Sequence, residues 1–203
     1  MKRPRRALGC SAAAVLVLAT GAGLFYNGYG PMALKDRDNA RSPRETRMRL
    51  NGTLQAAMGA ITPPLAYSGG FYAVDREPDH ADGEPSLLSG VREVVAVRTK
   101  VAPAKVQVLL DRMSQLWGDC RRTDTTVEYL HKCDTDLNCS GHGEVLFTLS
   151  VTTSTADSSV KVHLSGAAFL VRFQPREDYG TPPVGERPSP EPAPDLDDPY
   201  WSH

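Results

Sequence analysis

Two segments of the sequence repeat apolar residues every three or four positions, which is the spacing of an amphipathic helix. The first follows Ser42-Pro43, where the serine can cap a helix and Glu45 completes a capping box, and it ends at Thr62-Pro63-Pro64. The second begins at Pro103 and ends at Gly118. The repeated residues are Leu50, Leu54, Ala57, Met58 and Ile61 in the first segment, and Val106, Leu109, Leu110, Met113, Leu116 and Trp117 in the second. Each pattern predicts a helix that buries one stripe in a core.

Other segments alternate apolar and polar residues, as half-buried β-strands do. The predicted strands cover 65–74, 91–101, 125–131, 144–153 and 160–173. The second of them, which places Val91, Glu93 and Val95 on one face, is expected to be central, and the last two are expected to form a hairpin. This order predicts an α+β two-layer sandwich over residues 42–174, with two helices packed on a mostly antiparallel sheet of about five strands.

The N-terminus pairs a basic start with a long uncharged stretch. Residues 1–6 hold four basic and no acidic side chains, and residues 7–26 carry no charge. Twenty helical residues span about 30 Å, the hydrocarbon thickness of a bilayer. The pattern predicts a transmembrane anchor with a cytoplasmic N-terminus, a juxtamembrane linker at 27–41 and an extracytoplasmic body. The alternative is a secretory signal cleaved near Ala19-Thr20-Gly21, which would make the protein secreted.

Charge and proline are distributed unevenly along the 203 residues. Residues 175–203 hold eight of the sixteen prolines and a net charge of −5, so a disordered acidic tail is predicted there. The segment 197–203 sets Tyr200 and Trp201 beside acidic residues, as in a short docking peptide. Residues 7–174 carry equal numbers of acidic and basic side chains, which argues against a nucleic-acid partner, because binding phosphates needs clustered Lys and Arg.

Three cysteines, Cys120, Cys133 and Cys139, lie in the part of the chain that is predicted to be exported. Outside the cytoplasm a disulfide is expected. The sequence favours a pair between Cys120 and either Cys133 or Cys139, which leaves one free thiol. There is no Cys-x-x-Cys motif, so a thiol oxidoreductase is not indicated.

Oxygen-bearing side chains follow one another at alternate positions between Cys133 and Cys139, as at the start of a calcium loop. The candidate ligands are Asp134, Asp136, Asn138 and, further along, Glu144. The arrangement resembles an EF-hand only in part, because Cys139 stands where the turn glycine belongs. An Asx-rich hairpin loop that binds no ion is the alternative.

The sequence predicts no catalytic residue, because no nucleophile can be placed beside a base and no Gly-x-Ser-x-Gly motif is present. It favours a non-enzymatic, membrane-anchored extracytoplasmic interaction or accessory module of the cell envelope, with a protein partner. The alternative is an envelope hydrolase or a calcium-dependent binding protein that uses the 133–144 loop. The segments expected to meet a partner are the acidic loop 75–84, the cysteine loop 133–142 and the aromatic C-terminus.

Overall fold

The computed structural model describes residues 30–140, 145–186 and 193–203. Its helices are α1 (Pro31–Asn39), α2 (Pro43–Ala60) and α3 (Pro103–Trp117), and its strands are β1 (Tyr67–Arg76), β2 (Leu88–Val97), β3 (Cys120–Val127), β4 (Lys132–Ser140), β5 (Leu146–Ser154) and β6 (Val160–Arg172). Two short 3-10 helices cover Glu128–Leu130 and Arg176–Tyr179. The basic start 1–6 and the predicted anchor 7–26 lie outside the described residues, among which no helix is long and apolar enough to cross a membrane.

The six strands form one antiparallel sheet in the order β1-β2-β6-β5-β4-β3. The predicted α+β class is confirmed, as is the hairpin of β5 and β6. The strand expected to be central, β2, lies between β1 and β6. The described residues contain six strands where about five were expected, and three helices where two were expected.

The main core lies between the sheet and one face of α2 and α3. Buried side chains from the two helices meet buried side chains from the inner face of the sheet. Among them are Leu54, Ala57, Leu109, Leu110 and Met113 from the helices, and Val95, Phe147, Leu149, Val162 and Leu164 from the strands. β5 and β6 alternate buried and more exposed residues, because the helices in the described part of the chain cover only one face of the sheet.

Four local features differ from the expectations. The strand predicted over 125–131 is shifted, since β3 covers Cys120–Val127 and Glu128–Leu130 form a 3-10 helix. Residues 132–140 form strand β4 where a loop was predicted, because Thr135, Leu137 and Cys139 point into the core while their neighbours point outward. Helix α1 occupies part of the predicted juxtamembrane linker. The Ser42 hydroxyl makes no capping hydrogen bond, so the predicted capping box is not formed, although Pro43 does open α2.

A disulfide joins Cys120 to Cys139, which stand directly opposite each other on β3 and β4. It is one of the two pairings that the sequence favoured. Cys133, at the other end of β4, is a half-buried free thiol. The bond ties the outermost strand, β3, to the strand that carries part of the core.

Replacing both Cys120 and Cys139 by alanine is expected to lower the free energy of unfolding by about 2–4 kcal/mol, because a closed loop restricts the unfolded chain. Chemical denaturation followed by circular dichroism measures the change. Cys133→Ala is the matched control and should have a much smaller effect. Equal denaturation midpoints for the double variant and the parent would contradict the expectation.

The C-terminal residues pack against the body of the domain. Trp201 is fully buried in the main core, and its indole Nε1 donates a hydrogen bond to the Pro63 carbonyl at 2.9 Å. The Lys100 amide donates to the Leu196 carbonyl at the same distance. A disordered tail was predicted over 175–203. In the parts that the structure describes, 175–186 and 193–203, the aromatic residues provide enough apolar surface to hold the segment in place.

Candidate functional site

A buried carboxyl group lies between the sheet and α2. Glu93 of β2 is 1% exposed, and Tyr72 stands opposite it on β1. The Asn51 side chain of α2 lies between them, oriented so that its amide nitrogen donates to Glu93 Oε2 at 2.8 Å and to the Tyr72 hydroxyl. We call Glu93, Tyr72, Asn51 and the adjacent Arg47 the Glu93 cluster.

Burial dominates the electrostatics of this cluster. It raises the pKa of Glu93 to about 7, and the positive charge of Arg47 offsets only part of this effect. The pKa of Tyr72 is also raised, first by burial and then by the nearby Glu93 charge. The Arg47 guanidinium lies over the Tyr72 ring, 5.9 Å from its centroid. The Glu93 carboxyl therefore changes its charge near neutral pH.

A cavity of about 340 Å³ adjoins Tyr72 at the outer edge of β1. The chain after the second 3-10 helix closes this edge, since the Gly70 amide donates a hydrogen bond to the Gly185 carbonyl at 2.9 Å. The polar residues that line the cavity are Tyr72, Arg176, Glu177, Thr181 and Glu186. The cavity is thus bounded by a sheet edge and by part of the predicted tail.

No helix among the described residues lies on the second face of the sheet, and we call it the open face. Polar side chains from five strands line a depression of about 340 Å³ on it, together with the half-exposed Leu146 and Phe169. The polar residues are Asp75, Arg92, Asp136, Asn138, Thr148, Ser150 and Ser165. Neighbouring pairs bond to each other in part, as where the Thr148 hydroxyl donates to Asn138 Oδ1 at 2.8 Å. The open face offers hydrogen-bond donors and acceptors with two apolar contacts beside them.

The predicted calcium ligands belong to this face. Asp134, Asp136 and Asn138 follow one another at alternate positions of β4, where successive same-face residues are spaced by about 7 Å, whereas a calcium ion needs oxygens within about 2.6 Å. Asp134 accepts a hydrogen bond from the Thr152 hydroxyl at 2.6 Å. Glu144 lies outside the described residues. Within the described ranges, no three His, Cys, Asp or Glu side chains form a group that could hold a metal ion.

The acidic loop is folded against α1. Glu84, which is fully buried, accepts hydrogen bonds at Oε2 from the Met32 and Ala33 amides, at 2.9 and 3.2 Å. A third hydrogen bond, 2.8 Å long, links His80 Nε2 to Asp36 Oδ2. Carboxylates are favourable at the first turn of a helix, where the amides have no helical partner. The loop that was expected to meet a partner therefore holds α1 on the domain.

Glu84→Ala is expected to release α1, because the Met32 and Ala33 amides lose their shared acceptor. Hydrogen exchange followed by mass spectrometry should show faster exchange over 31–40 and unchanged exchange in β5. Glu128→Ala, at an exposed acidic residue, is the control. Exchange over 31–40 that matches the parent would show that Glu84 does not hold the helix.

Comparison with known proteins gives no match. No protein-family model, no curated protein and no solved structure matches this chain.

Sequence reasoning missed the Glu93 cluster, although one signal for it was present. The alternation of the central strand placed Glu93 on the same face as Val91 and Val95, and that face is the buried one. An acidic residue in an apolar stripe is expensive to bury unless it is neutral or hydrogen-bonded. Its partners, Tyr72 and Asn51, depend on strand register and helix placement and cannot be identified from the pattern alone.

Proposed function

We propose that this chain is a non-enzymatic, membrane-anchored extracytoplasmic binding module of the cell envelope, and that the open face of the sheet holds its protein partner. The observation that carries the proposal is that α2 and α3 cover one side of the sheet only. The uncovered side combines polar residues with the exposed Phe169 and Leu146. Aromatic residues surrounded by hydrogen-bonding groups are typical of protein interfaces.

Two features of the chain support the proposed location. A basic start precedes the uncharged residues 7–26, as in a membrane anchor that keeps its N-terminus in the cytoplasm. The Cys120–Cys139 disulfide in the domain fits an oxidising compartment. Both features favour a body that folds outside the cytoplasm.

Binding is favoured over catalysis by the position of Glu93, whose pKa is raised to about 7. A general base must come within hydrogen-bond reach of the proton that it removes. Glu93 is enclosed between β2 and α2, with its Oε2 bonded to Asn51. This carboxyl therefore acts within the fold, where its charge state affects stability.

Site-specific photo-crosslinking in whole cells tests the proposal. A benzoylphenylalanine residue replaces Ser150 on the open face, and Ala104, an exposed residue on α3, is the matched control position. We expect a discrete crosslinked product at Ser150, in the membrane fraction only, and none at Ala104. Equal labelling at both positions would contradict the open-face assignment, and recovery of the chain in the cytoplasmic fraction would contradict the location.

A further inference from the structure

Three large apolar side chains are exposed where α1 meets the end of β6. Leu34 of α1 is 42% exposed, and Leu170 and Phe173 are 47% and 39% exposed. We call these three residues the α1 patch. Single exposed apolar residues are ordinary on protein surfaces, so a function requires that they lie together and that further observations agree.

Hydrogen bonds bring the parts of the patch together. The Arg41 amide, just after α1, donates to the Leu170 carbonyl at 2.8 Å, and Arg172 Nη2 donates to the Arg37 carbonyl at 3.3 Å. The Phe173 amide donates to Leu87 in the loop whose Glu84 holds α1. The end of β6, the acidic loop and α1 are therefore neighbours in the fold.

A β-bulge in β6 exposes Leu170. Between the pairs Ser89–Val171 and Val91–Ala168, two residues of β6 stand opposite the single Gly90 of β2. Leu170 has a φ of 55°, a conformation that is unfavourable for a branched side chain and costs about 1–3 kcal/mol. The usual alternation is lost, and the consecutive Phe169 and Leu170 are both exposed. Bulges commonly redirect a side chain at functional sites.

The helical side of the patch favours an anionic partner. The loop 75–84 on its other side carries five acids, but Glu84 is bonded to α1, and Asp75 and Asp79 lie 3.8 and 4.0 Å from Arg92 and Arg76. Residues 35–49 contain six basic and three acidic side chains. Two of the three acids are already bonded within the protein, Asp36 to His80 and Glu45 to Arg49. Lys35 lies exposed on α1 itself, directly after Leu34 in the sequence.

The length of chain before α1 limits where the patch can lie. Four residues separate the uncharged stretch 7–26 from Pro31. Even fully extended, this link spans only about 15–18 Å. If residues 7–26 cross the bilayer, as the proposed function requires, α1 is confined to the neighbourhood of the lipid headgroups.

We propose that the α1 patch lies on the outer surface of the membrane that holds the anchor, with its apolar side chains among the headgroups of anionic lipids. Lys35 then lies near the lipid phosphates. Apolar side chains flanked by basic residues bind membrane surfaces in this way. This contact orients the domain. The end of the sheet with the pair Leu88–Arg172 faces the bilayer, and the turn at 128–131, at the other end, faces away.

The test uses the full chain in lipid vesicles and a spin label at one engineered cysteine. The label replaces Leu34 in the patch or Tyr129, which is 83% exposed at the opposite end of the sheet. Cys10 and Cys133 are changed to serine, and the disulfide is kept. In vesicles that contain phosphatidylglycerol, we expect a water-soluble nickel complex to reach the label at 34 several-fold less than the label at 129. Pure phosphatidylcholine should reduce this difference.

Leu170→Asn separates membrane contact from folding. Asparagine tolerates a positive φ, so this variant is expected to keep or increase the thermal stability of the parent. It should nevertheless raise the access of the nickel complex to the label at 34, because a polar side chain replaces an apolar one in the patch.

The outcomes distinguish this proposal from the anchor on which it rests. Equal access at 34 and 129, in a chain that floats with the vesicles, would overturn the patch and leave the anchor intact. A chain that does not float with the vesicles would overturn both. Spin–spin broadening at 34 that does not depend on lipid composition would assign the patch to a second copy of the chain and overturn the lipid contact.

Discussion

Trp201→Ala is expected to lower the free energy of unfolding by about 3–5 kcal/mol, the usual loss for a large aromatic residue in a core. The indole is fully buried, and it also donates a hydrogen bond to the Pro63 carbonyl. The Tyr200 ring packs edge-on against it, with 4.9 Å between the ring centroids. The alanine variant loses this packing and leaves the Pro63 carbonyl without its donor.

Urea denaturation followed by circular dichroism measures this effect, since tryptophan fluorescence would itself change. Tyr129→Ala, at an exposed aromatic residue, is the control and should lie within about 0.5 kcal/mol of the parent. The free energy of unfolding of Trp201→Phe should lie between those of the parent and of Trp201→Ala, because phenylalanine keeps part of the apolar volume but cannot donate the hydrogen bond. A stability unchanged by Trp201→Ala would show that the C-terminal segment does not belong to the core.

Glu93→Gln is expected to remove a large part of the pH dependence of stability. The folded-state pKa, about 7, lies above the ordinary value of 4.5, so the folded protein holds the proton more tightly than the unfolded chain. Stability from this group is therefore fully present below about pH 4.5 and is lost as the pH rises through about 7. A shift of this size corresponds to about 3 kcal/mol.

Unfolding free energies of parent and variant, measured from pH 5 to pH 8.5, test this expectation. The parent should lose stability across the range relative to Glu93→Gln, which should be the more stable of the two at pH 8.5. Glu128→Gln, at an exposed position, should follow the parent. Parallel curves for Glu93→Gln and the parent would contradict a raised pKa at Glu93.

The elements with strong apolar periodicity are those that the sequence predicts well. The stripe of α2, most of the stripe of α3 and the alternation of β2, β5 and β6 face the core, as expected. Leu116, near the end of α3, is exposed instead. These signals are local, because each depends on the period of one segment. They were sufficient for the α+β class and for the β5–β6 hairpin.

The features that the sequence missed depend on contacts between distant residues. Helix α1 has no apolar stripe, since its buried residues are Ala33 and Asp36, and it is held by Glu84 and His80 from a loop far along the chain. The oxygen-bearing residues at alternate positions of β4 suggested ion ligands, whereas these residues form the outer face of a strand. Its inner residues, such as Leu137, are few and are interrupted by polar ones.

The C-terminal segment was misjudged for a different reason. Its proline and acidic content is typical of disordered chains, which cannot bury enough apolar surface to offset the loss of conformational entropy. The composition is an average over residues 175–203, whereas the contacts with the domain are concentrated at Tyr179 and Trp201. Two buried aromatic rings hold parts of the segment whose average composition is unfavourable.

The most direct test of the proposed extracytoplasmic anchor is the intact mass of the native chain in membrane and soluble fractions, after alkylation in denaturant with and without prior reduction. The account predicts a full-length chain in the membrane fraction. Two of its four cysteines, Cys10 and Cys133, should be alkylated before reduction, and all four after it. A soluble chain that begins near residue 22, or one with four free thiols in the cytoplasm, would contradict it.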